Sequence, residues 1–188
     1  HTSWITPDED YDAALRDFVA AVMDPAKSAG FLDDLLPFQA KIARMGMLNS
    51  LSQTAIKLTC PGVPDIYQGQ ELWDFSLVDP DNRRPVDYRA RQRMLDDLIG
   101  KMEKPDRAGL ASELMERWED GRVKLYLTHL LLKYRQGNRE LFLEGDYLPL
   151  EVEGERSEHL VAFARRHGRK AMIVMVHRLW ATLLGGDE

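Results

Sequence analysis

Cysteine is scarce in this sequence of 188 residues, where Cys60 is the single thiol. One thiol excludes a disulfide within the chain, and chains without disulfides are typical of a reducing compartment, so we expect a cytoplasmic protein. Five histidines stand at positions 1, 129, 159, 167 and 177, and none has a metal-ligand spacing with Cys60 or with another histidine. The sequence therefore predicts no metal site.

Positive charge is also in short supply. Lysine and arginine number 25 against 31 aspartates and glutamates, which gives a formal net charge of −6. An acidic chain gains little from a phosphate backbone, so we expect no nucleic-acid partner. The one basic run, from Arg165 to Lys170, is short and is typical of a solvated turn between two strands.

Long apolar runs are absent as well. No run reaches the roughly 18 residues of a membrane span, and no signal peptide opens the chain, so we expect no membrane partner. The chain starts at His1 without an initiator methionine and ends at Glu188, and both ends look like cuts in a longer protein. Apart from these absences, the composition is that of an ordinary globular protein.

Helix signals fill the first two thirds of the chain. Thr6 is the expected N-cap of a first helix that ends near Asp24, because Glu9 completes a capping box three residues on. A longer helical segment runs from Phe31 to Thr59, and Pro37 is expected to bend it or to separate its first turn. Three further helices are predicted, from cap Asp87 to Gly100, from cap Asp106 onward, and from Arg122 to Arg135.

A sharp stop at Cys60–Gly62 follows the long helix. Val63–Tyr67 is then predicted to be a short buried strand, and a helix, a stop and a buried strand form the repeating unit of a βα barrel. Residues 68–87 have little periodicity and many turn formers. A loop of about 20 residues in a compact domain is usually functional.

The periodicity changes after Phe142. Tyr147–Val152, Leu160–Arg165 and Ala171–His177 are predicted strands of a small antiparallel sheet, joined by glycine-bearing turns. The third is apolar on both faces, so we expect it to be the central strand or to be covered by a part of the protein outside this sequence.

Two stretches carry the most specific pattern, Cys-Pro-Gly-Val-Pro-Asp-Ile-Tyr-Gln-Gly-Gln-Glu-Leu-Trp at 60–73 and Val-Asp-Pro-Asp-Asn-Arg-Arg-Pro-Val-Asp at 78–87. The first resembles the last barrel strand and following loop of the α-amylase superfamily. The second resembles, more specifically, the maltooligosyl trehalose synthase family. Four other stretches resemble the same family, so that the resemblance spans nearly the whole chain: Thr2–Trp4, Phe38–Lys41, Gly46–Thr54 and Ala162–Arg166.

The resemblance implies an activity for the parent enzyme. The family converts the reducing-end α-1,4 bond of a maltooligosaccharide into an α,α-1,1 bond by intramolecular transglucosylation, in trehalose biosynthesis and without a cofactor. Its three catalytic acids precede the segment that opens this chain, so we assign no catalytic residue and expect the chain alone to be inactive. Two alternatives stay open: another hydrolase or glucanotransferase of the superfamily, and a non-catalytic carbohydrate-binding or helical interaction module.

The candidate substrate-binding residues lie in the loop after the predicted barrel strand, and they are Glu71, Trp73, Asp79, Asp81, Arg83 and Arg84. Active sites of βα barrels lie at this rim. Arginine can donate paired hydrogen bonds to sugar hydroxyls while aspartate orients it, and tryptophan can stack on a sugar face. The alternative is that these groups form ion pairs and packing contacts that only fix the loop.

The sequence thus predicts an α+β, mainly helical chain. It would contain the last αβ unit of a TIM-type barrel, a helical segment and a small antiparallel sheet from a truncated C-terminal domain. The predicted divisions are residues 1–100 for the end of the catalytic barrel, 101–140 for the helical segment and 141–188 for the partial β domain. Surfaces uncovered by truncation are expected to favour homo-oligomers.

Overall fold

A computed structural model describes residues 1–77 and 79–185, with the backbone alone for Asp79 and Pro80. Over these residues the chain is mainly helical and has one small antiparallel sheet, as predicted. It divides into two compact units, His1–Gly46 and Met47–Glu188. No helix in the described ranges combines the length and the apolarity that a membrane crossing requires. The predicted division at residues 100 and 140 stays a prediction.

Helix α1 of the first unit spans Glu9–Val22, and Asp8 rather than Thr6 caps it. The Asp8 carboxylate accepts a hydrogen bond from the Tyr11 N–H at 3.0 Å. The predicted cap was wrong because the Thr6 N–H turns back to the Ser3 hydroxyl at 3.0 Å, which leaves Thr6 outside the helix. An aspartate at the N-cap also suits the positive end of the helix dipole.

Helix α2 spans Pro25–Thr59 and is longer than predicted. Its irregular point is Ser28, where φ is −135° and ψ is 38°, whereas Pro37 lies inside the helix. Pro37 therefore does not separate a first turn. Proline has a helical φ and removes one hydrogen bond, and a helix of this length can bear that loss.

Among the described residues of the second unit, five α-helices follow α2 and precede the sheet: α3 (Asp79–Asn82), α4 (Tyr88–Met102), α5 (Arg107–Glu116), α6 (Arg122–Gly137) and α7 (Arg139–Leu143). Both predicted caps are present, since the Asp87 carboxylate accepts from the Ala90 N–H at 2.9 Å and the Asp106 carboxylate from the Gly109 N–H at 2.8 Å. Gly100 lies inside α4 and does not end it. Helices α4, α5 and α6 share one buried core: Leu98, Leu110, Leu114, Val123 and Leu125.

The Asp106 cap allows a direct test of these assignments. We expect Asp106→Ala to lower the free energy of unfolding by about 1 kcal/mol, because the Gly109 N–H loses its acceptor. Urea unfolding followed by far-UV circular dichroism measures the change. Glu153→Ala, at an exposed position outside the helices, is the matched control and should leave stability unchanged. Equal stability of the two variants would contradict the cap.

The sheet contains β1 (Asp146–Pro149), β2 (Leu160–His167) and β3 (Lys170–His177), and α8 (Trp180–Leu183) follows it. The order is β1-β2-β3 with both pairs antiparallel, so β2 is central and β3 lies at an edge of the described sheet. The prediction of a central third strand is therefore wrong. The other alternative, a strand covered by a part of the protein outside this sequence, stays a prediction; the outer face of β3 exposes 62% of Ile173 and 65% of Met175. Oligomers formed through such surfaces stay a prediction.

The inner face of the sheet packs on the end of α2. Phe163, Val174 and Val176 are buried there against Ala55 and Ile56. Alternation along β2 and β3 places these side chains on one face, which is the usual pattern of a sheet with one covered side.

Arg165 lies on the same buried face and is only 1% exposed, so that the predicted solvated run begins one residue later. Its guanidinium donates to five main-chain oxygens, at 3.2 Å (Thr59), 3.2 Å (Leu141), 3.1 Å (Phe142), 3.0 Å (Gly145) and 3.3 Å (Asp146). The last carbonyls of a helix lack partners within the helix. Arginine, with five N–H groups, satisfies those at the ends of α2 and α7.

The predicted barrel strand, Val63–Tyr67, has no regular secondary structure. Val63 is 92% exposed, and Ile66 and Tyr67 are also exposed, so the segment is not buried as predicted. A parallel barrel strand needs neighbours on both sides to satisfy its backbone. The described part of the chain offers none, so the last αβ unit of a TIM-type barrel is not visible as a strand. Residues 68–77 and 79–87, which belong to the predicted loop, follow without a strand and include α3.

Candidate functional site

The loop of residues 68–87 is anchored at its start by Glu71. The Glu71 carboxylate forms an ion pair with Arg91 of α4, and about four fifths of each side chain is shielded from solvent. The Arg91 guanidinium also donates to the Asp87 carbonyl at 3.3 Å. Glu71 thus joins the start of the loop to the helix that follows it. Sugar binding by Glu71 stays a prediction.

Trp73 forms a second anchor. Its indole N–H donates to the Trp118 carbonyl at 2.6 Å, and the ring packs against the core of α4, α5 and α6. The Lys124 ammonium lies 5.7 Å from the ring centroid, a distance compatible with a cation–π contact. These contacts are the packing alternative for Trp73, whose stacking on sugar stays a prediction. Phe75 is 73% exposed and presents more aromatic surface than Trp73 does.

Asp81 and Arg84 form an ion pair within the loop. Asp81 is mostly shielded and also accepts from the Leu77 N–H at 3.3 Å, whereas most of Arg84 is exposed to solvent. The carboxylate therefore orients a guanidinium whose remaining N–H groups can reach a ligand. Arg83 is exposed at the end of α3. The side chain of Asp79 lies outside the described part of the structure.

A cavity of about 160 Å³ is formed where the loop meets α4. It brings together three of the predicted residues, Trp73, Asp81 and Arg84, but not Glu71. Small-ligand sites usually measure about 300–1,000 Å³, so the volume of this cavity is below that of a complete small-ligand site.

Among the lining residues that the sequence did not single out for the site are Asp74, Asn82 and Arg91. The Asp74 carboxylate accepts from the Ser76 hydroxyl at 2.6 Å and from the Ser76 N–H at 3.0 Å, and these hydrogen bonds lower the pKa of Asp74. Asn82 Oδ1 is buried and has no hydrogen-bond partner among the described residues. Asp74 and Asn82 belong to the same loop as the predicted residues. Arg91 lies one turn past the Asp87 cap, so cap and helix periodicity together could have placed it.

The chemistry of this cavity is polar and nearly balanced in charge. Three carboxylates (Asp74, Asp81, Asp87) face two guanidinium groups (Arg84, Arg91), with an aromatic ring at one side. Hydrogen-bond donors and acceptors in this mixture suit an uncharged ligand with many hydroxyls. Within the described lining of this cavity no carboxylate pair is free to act as acid and nucleophile, because Asp81 pairs with Arg84, Asp74 accepts from Ser76 and Asp87 caps α4.

Comparison with known proteins gives two kinds of match. A putative maltooligosyl trehalose synthase of Mycobacterium tuberculosis, found in two strains, is 34% identical over 165 residues, which is 88% of this chain. A crystal structure of maltooligosyl trehalose synthase superposes with a TM-score of 0.71 at 34% identity over 94% of this chain. In sequence and in fold, the chain is related to the maltooligosyl trehalose synthases.

A second solved synthase, a mutant of the Arthrobacter ramosus enzyme, has a TM-score of 0.75 at 33% identity over 99% of the chain. The resemblance to maltooligosyl trehalose synthase seen in the motifs is thus confirmed over nearly the whole sequence. The chain spans only about a fifth of these synthases, 18% of the curated relatives and 22% of the solved structures. No protein-family model matches it.

Proposed function

We propose that this chain is the C-terminal part of an α-amylase-type enzyme that makes maltooligosyl trehalose. The parent enzyme would convert the reducing-end α-1,4 bond of a maltooligosaccharide into an α,α-1,1 bond, a step of trehalose biosynthesis. The observation that carries this proposal is the identity of 33–34% with maltooligosyl trehalose synthases along 88–99% of the chain. A cytoplasmic location belongs to the same proposal.

The proposed role of residues 60–87 is to close the barrel and to shape its rim. Retaining enzymes of this kind need a nucleophilic carboxylate and an acid about 5 Å apart. In the proposal both lie outside this chain, and the loop contributes contacts to hydroxyls that do not react. The Asp81–Arg84 pair supports this role, because it holds an exposed guanidinium at the cavity.

The first experiment assays the chain alone. We expect no maltooligosyl trehalose from maltoheptaose, since the proposal places the carboxylate pair that the reaction requires outside this chain. Chromatography of the products, with a full-length synthase as positive control, measures this. Formation of maltooligosyl trehalose by the chain alone would overturn the assignment of the catalytic acids to another part of the protein.

The second experiment supplies the missing part. In a chimera, this chain replaces the aligned segment of the Arthrobacter ramosus synthase, to which it is 33% identical. We expect a folded chimera to form maltooligosyl trehalose. If the circular dichroism spectrum of the chimera matches that of the synthase but the chimera only hydrolyses maltoheptaose, the hydrolase alternative would be favoured. Submillimolar binding of maltoheptaose to the isolated chain, together with an inactive chimera, would favour a carbohydrate-binding module.

A further inference from the structure

A second and larger cavity adjoins the first and shares Asp74 and Ser76 with it. It measures about 410 Å³, within the usual range of small-ligand sites. Its walls come from three elements of the second unit: the last turns of α2, the loop, and the first turn of α6. Its polar lining includes Ser50, Gln53, Lys57, Asp74 and Lys124.

Two ammonium groups face this cavity. Lys57 Nζ donates to Gln70 Oε1 at 3.4 Å, and Lys124 Nζ donates to the Leu72 carbonyl at 3.2 Å. Within residues 1–77 and 79–185, neither ammonium has a carboxylate oxygen within ion-pair distance. Each lysine therefore keeps donors that its neighbours leave unused, since an ammonium carries three.

Lys57 and Lys124 line one cavity, and the charges around Lys124 are of both signs. Burial lowers the pKa of Lys124, and the neighbouring Lys57 ammonium lowers it further, whereas Asp74 and Glu71 act in the opposite direction. Glu71 is already paired with Arg91. Asp74 is held by Ser76 at the edge that this cavity shares with the smaller one. Among the described residues neither ammonium has a paired anion, so the repulsion between these two like charges falls when an anion binds between them.

We propose that this cavity binds the phosphate group of a small molecule, either inorganic phosphate or a phosphate monoester. Lys57 and Lys124 provide charge-assisted hydrogen bonds to the phosphate oxygens. The Ser50 hydroxyl and the Gln53 amide line the same wall and supply uncharged donors. Neither Lys57 nor Lys124 lines the smaller cavity, so phosphate binding here can be tested separately from the proposed synthase activity.

The test is a titration of the 188-residue chain with inorganic phosphate at low ionic strength, followed by ³¹P NMR and isothermal titration calorimetry. We expect saturable binding that weakens as sodium chloride is added, because salt screens the lysines. Lys57→Gln and Lys124→Gln should each weaken binding by about tenfold, the effect of one charge-assisted hydrogen bond. Lys133→Gln, an exposed lysine on the same helix as Lys124, is the matched control.

One more variant tests the direction of the electrostatics. Asp74→Asn removes the carboxylate that repels a bound phosphate, so it should tighten binding by about threefold or more. A parallel titration with glucose 1-phosphate distinguishes the two sources, because tighter binding of the ester than of inorganic phosphate identifies a monoester as the ligand. Absence of saturable binding of both ligands, or equal binding by the wild type and both cavity lysine variants, would falsify the proposal. Since no sugar chemistry is measured, a failure here leaves the proposed synthase function untouched.

Discussion

Arg165→Ala is expected to lower the free energy of unfolding by about 4 kcal/mol, because each buried acceptor left without a donor costs about 1–3 kcal/mol and water can relieve only part of that loss. The Arg165 guanidinium donates to five carbonyls at the ends of α2 and α7 and at the start of β1. Two of these elements are helices whose negative dipole ends favour a cation. Urea unfolding monitored by tryptophan fluorescence measures the change.

Arg166→Ala is the matched control for this variant. Arg166 is the next residue along β2, and its exposed ion pair with Asp146 has an N–O distance of 3.5 Å. Exposed pairs contribute about 0–1 kcal/mol, so stability should hardly change. Arg165→Lys keeps the positive charge but has fewer N–H donors. Its free energy of unfolding should therefore lie between those of Arg165→Ala and Arg166→Ala. If the urea unfolding curves of Arg165→Ala and Arg166→Ala have equal midpoints and slopes, the five hydrogen bonds of Arg165 do not stabilise the fold.

Arg84→Ala in the active chimera is expected to lower kcat/KM by about 10- to 100-fold, the loss that follows removal of one or two hydrogen bonds from a charged donor. The physical reason is the geometry of the ion pair, in which the mostly shielded Asp81 carboxylate holds the exposed Arg84 guanidinium at the cavity. Initial rates of maltooligosyl trehalose formation at several maltoheptaose concentrations give kcat and KM separately.

A rise in KM with an unchanged kcat would indicate that Arg84 binds the ground state and the transition state equally. Arg89→Ala is the control, because Arg89 is an exposed arginine of α4 outside the cavity. Asp81→Asn keeps the shape of the partner without its charge, so it should reproduce part of the Arg84→Ala effect. Wild-type kinetics for both Arg84→Ala and Asp81→Asn would assign the pair a purely structural role in the loop.

Local chemistry explains what the sequence could predict of this fold. The Asp87 and Asp106 caps were predictable because an N-cap needs only an aspartate and an N–H three residues later. The end of α2 just before Cys60 and the strands after Phe142 were predictable from turn residues and from a change of period. At the first helix the same reasoning chose Thr6 over Asp8, because two residues only two positions apart both offered a capping side chain.

Non-local contacts explain what the sequence could not predict. The prediction of a strand at Val63–Tyr67 failed because a strand forms only by hydrogen bonding to neighbouring strands, which the local pattern does not specify. The anchor of Trp73 depends on Trp118, 45 residues away. Arg165 was hidden inside a basic run, although the alternation of β2 places it beside Phe163 on the buried face. A strict period-two test of that run would have separated Arg165 from its solvated neighbours.

The anchors of the 68–87 loop bear on what binding at its cavity would cost. Glu71 is tied to α4, Trp73 to the backbone before α6, and Asp87 to the first turn of α4. A loop fixed at both ends has already lost most of its conformational entropy during folding, so a ligand that meets it pays little for ordering. Removing one of these anchoring contacts should therefore weaken ligand binding even where the ligand does not touch the anchor. The cause would be the entropy of ordering the loop, and not a lost contact with the ligand.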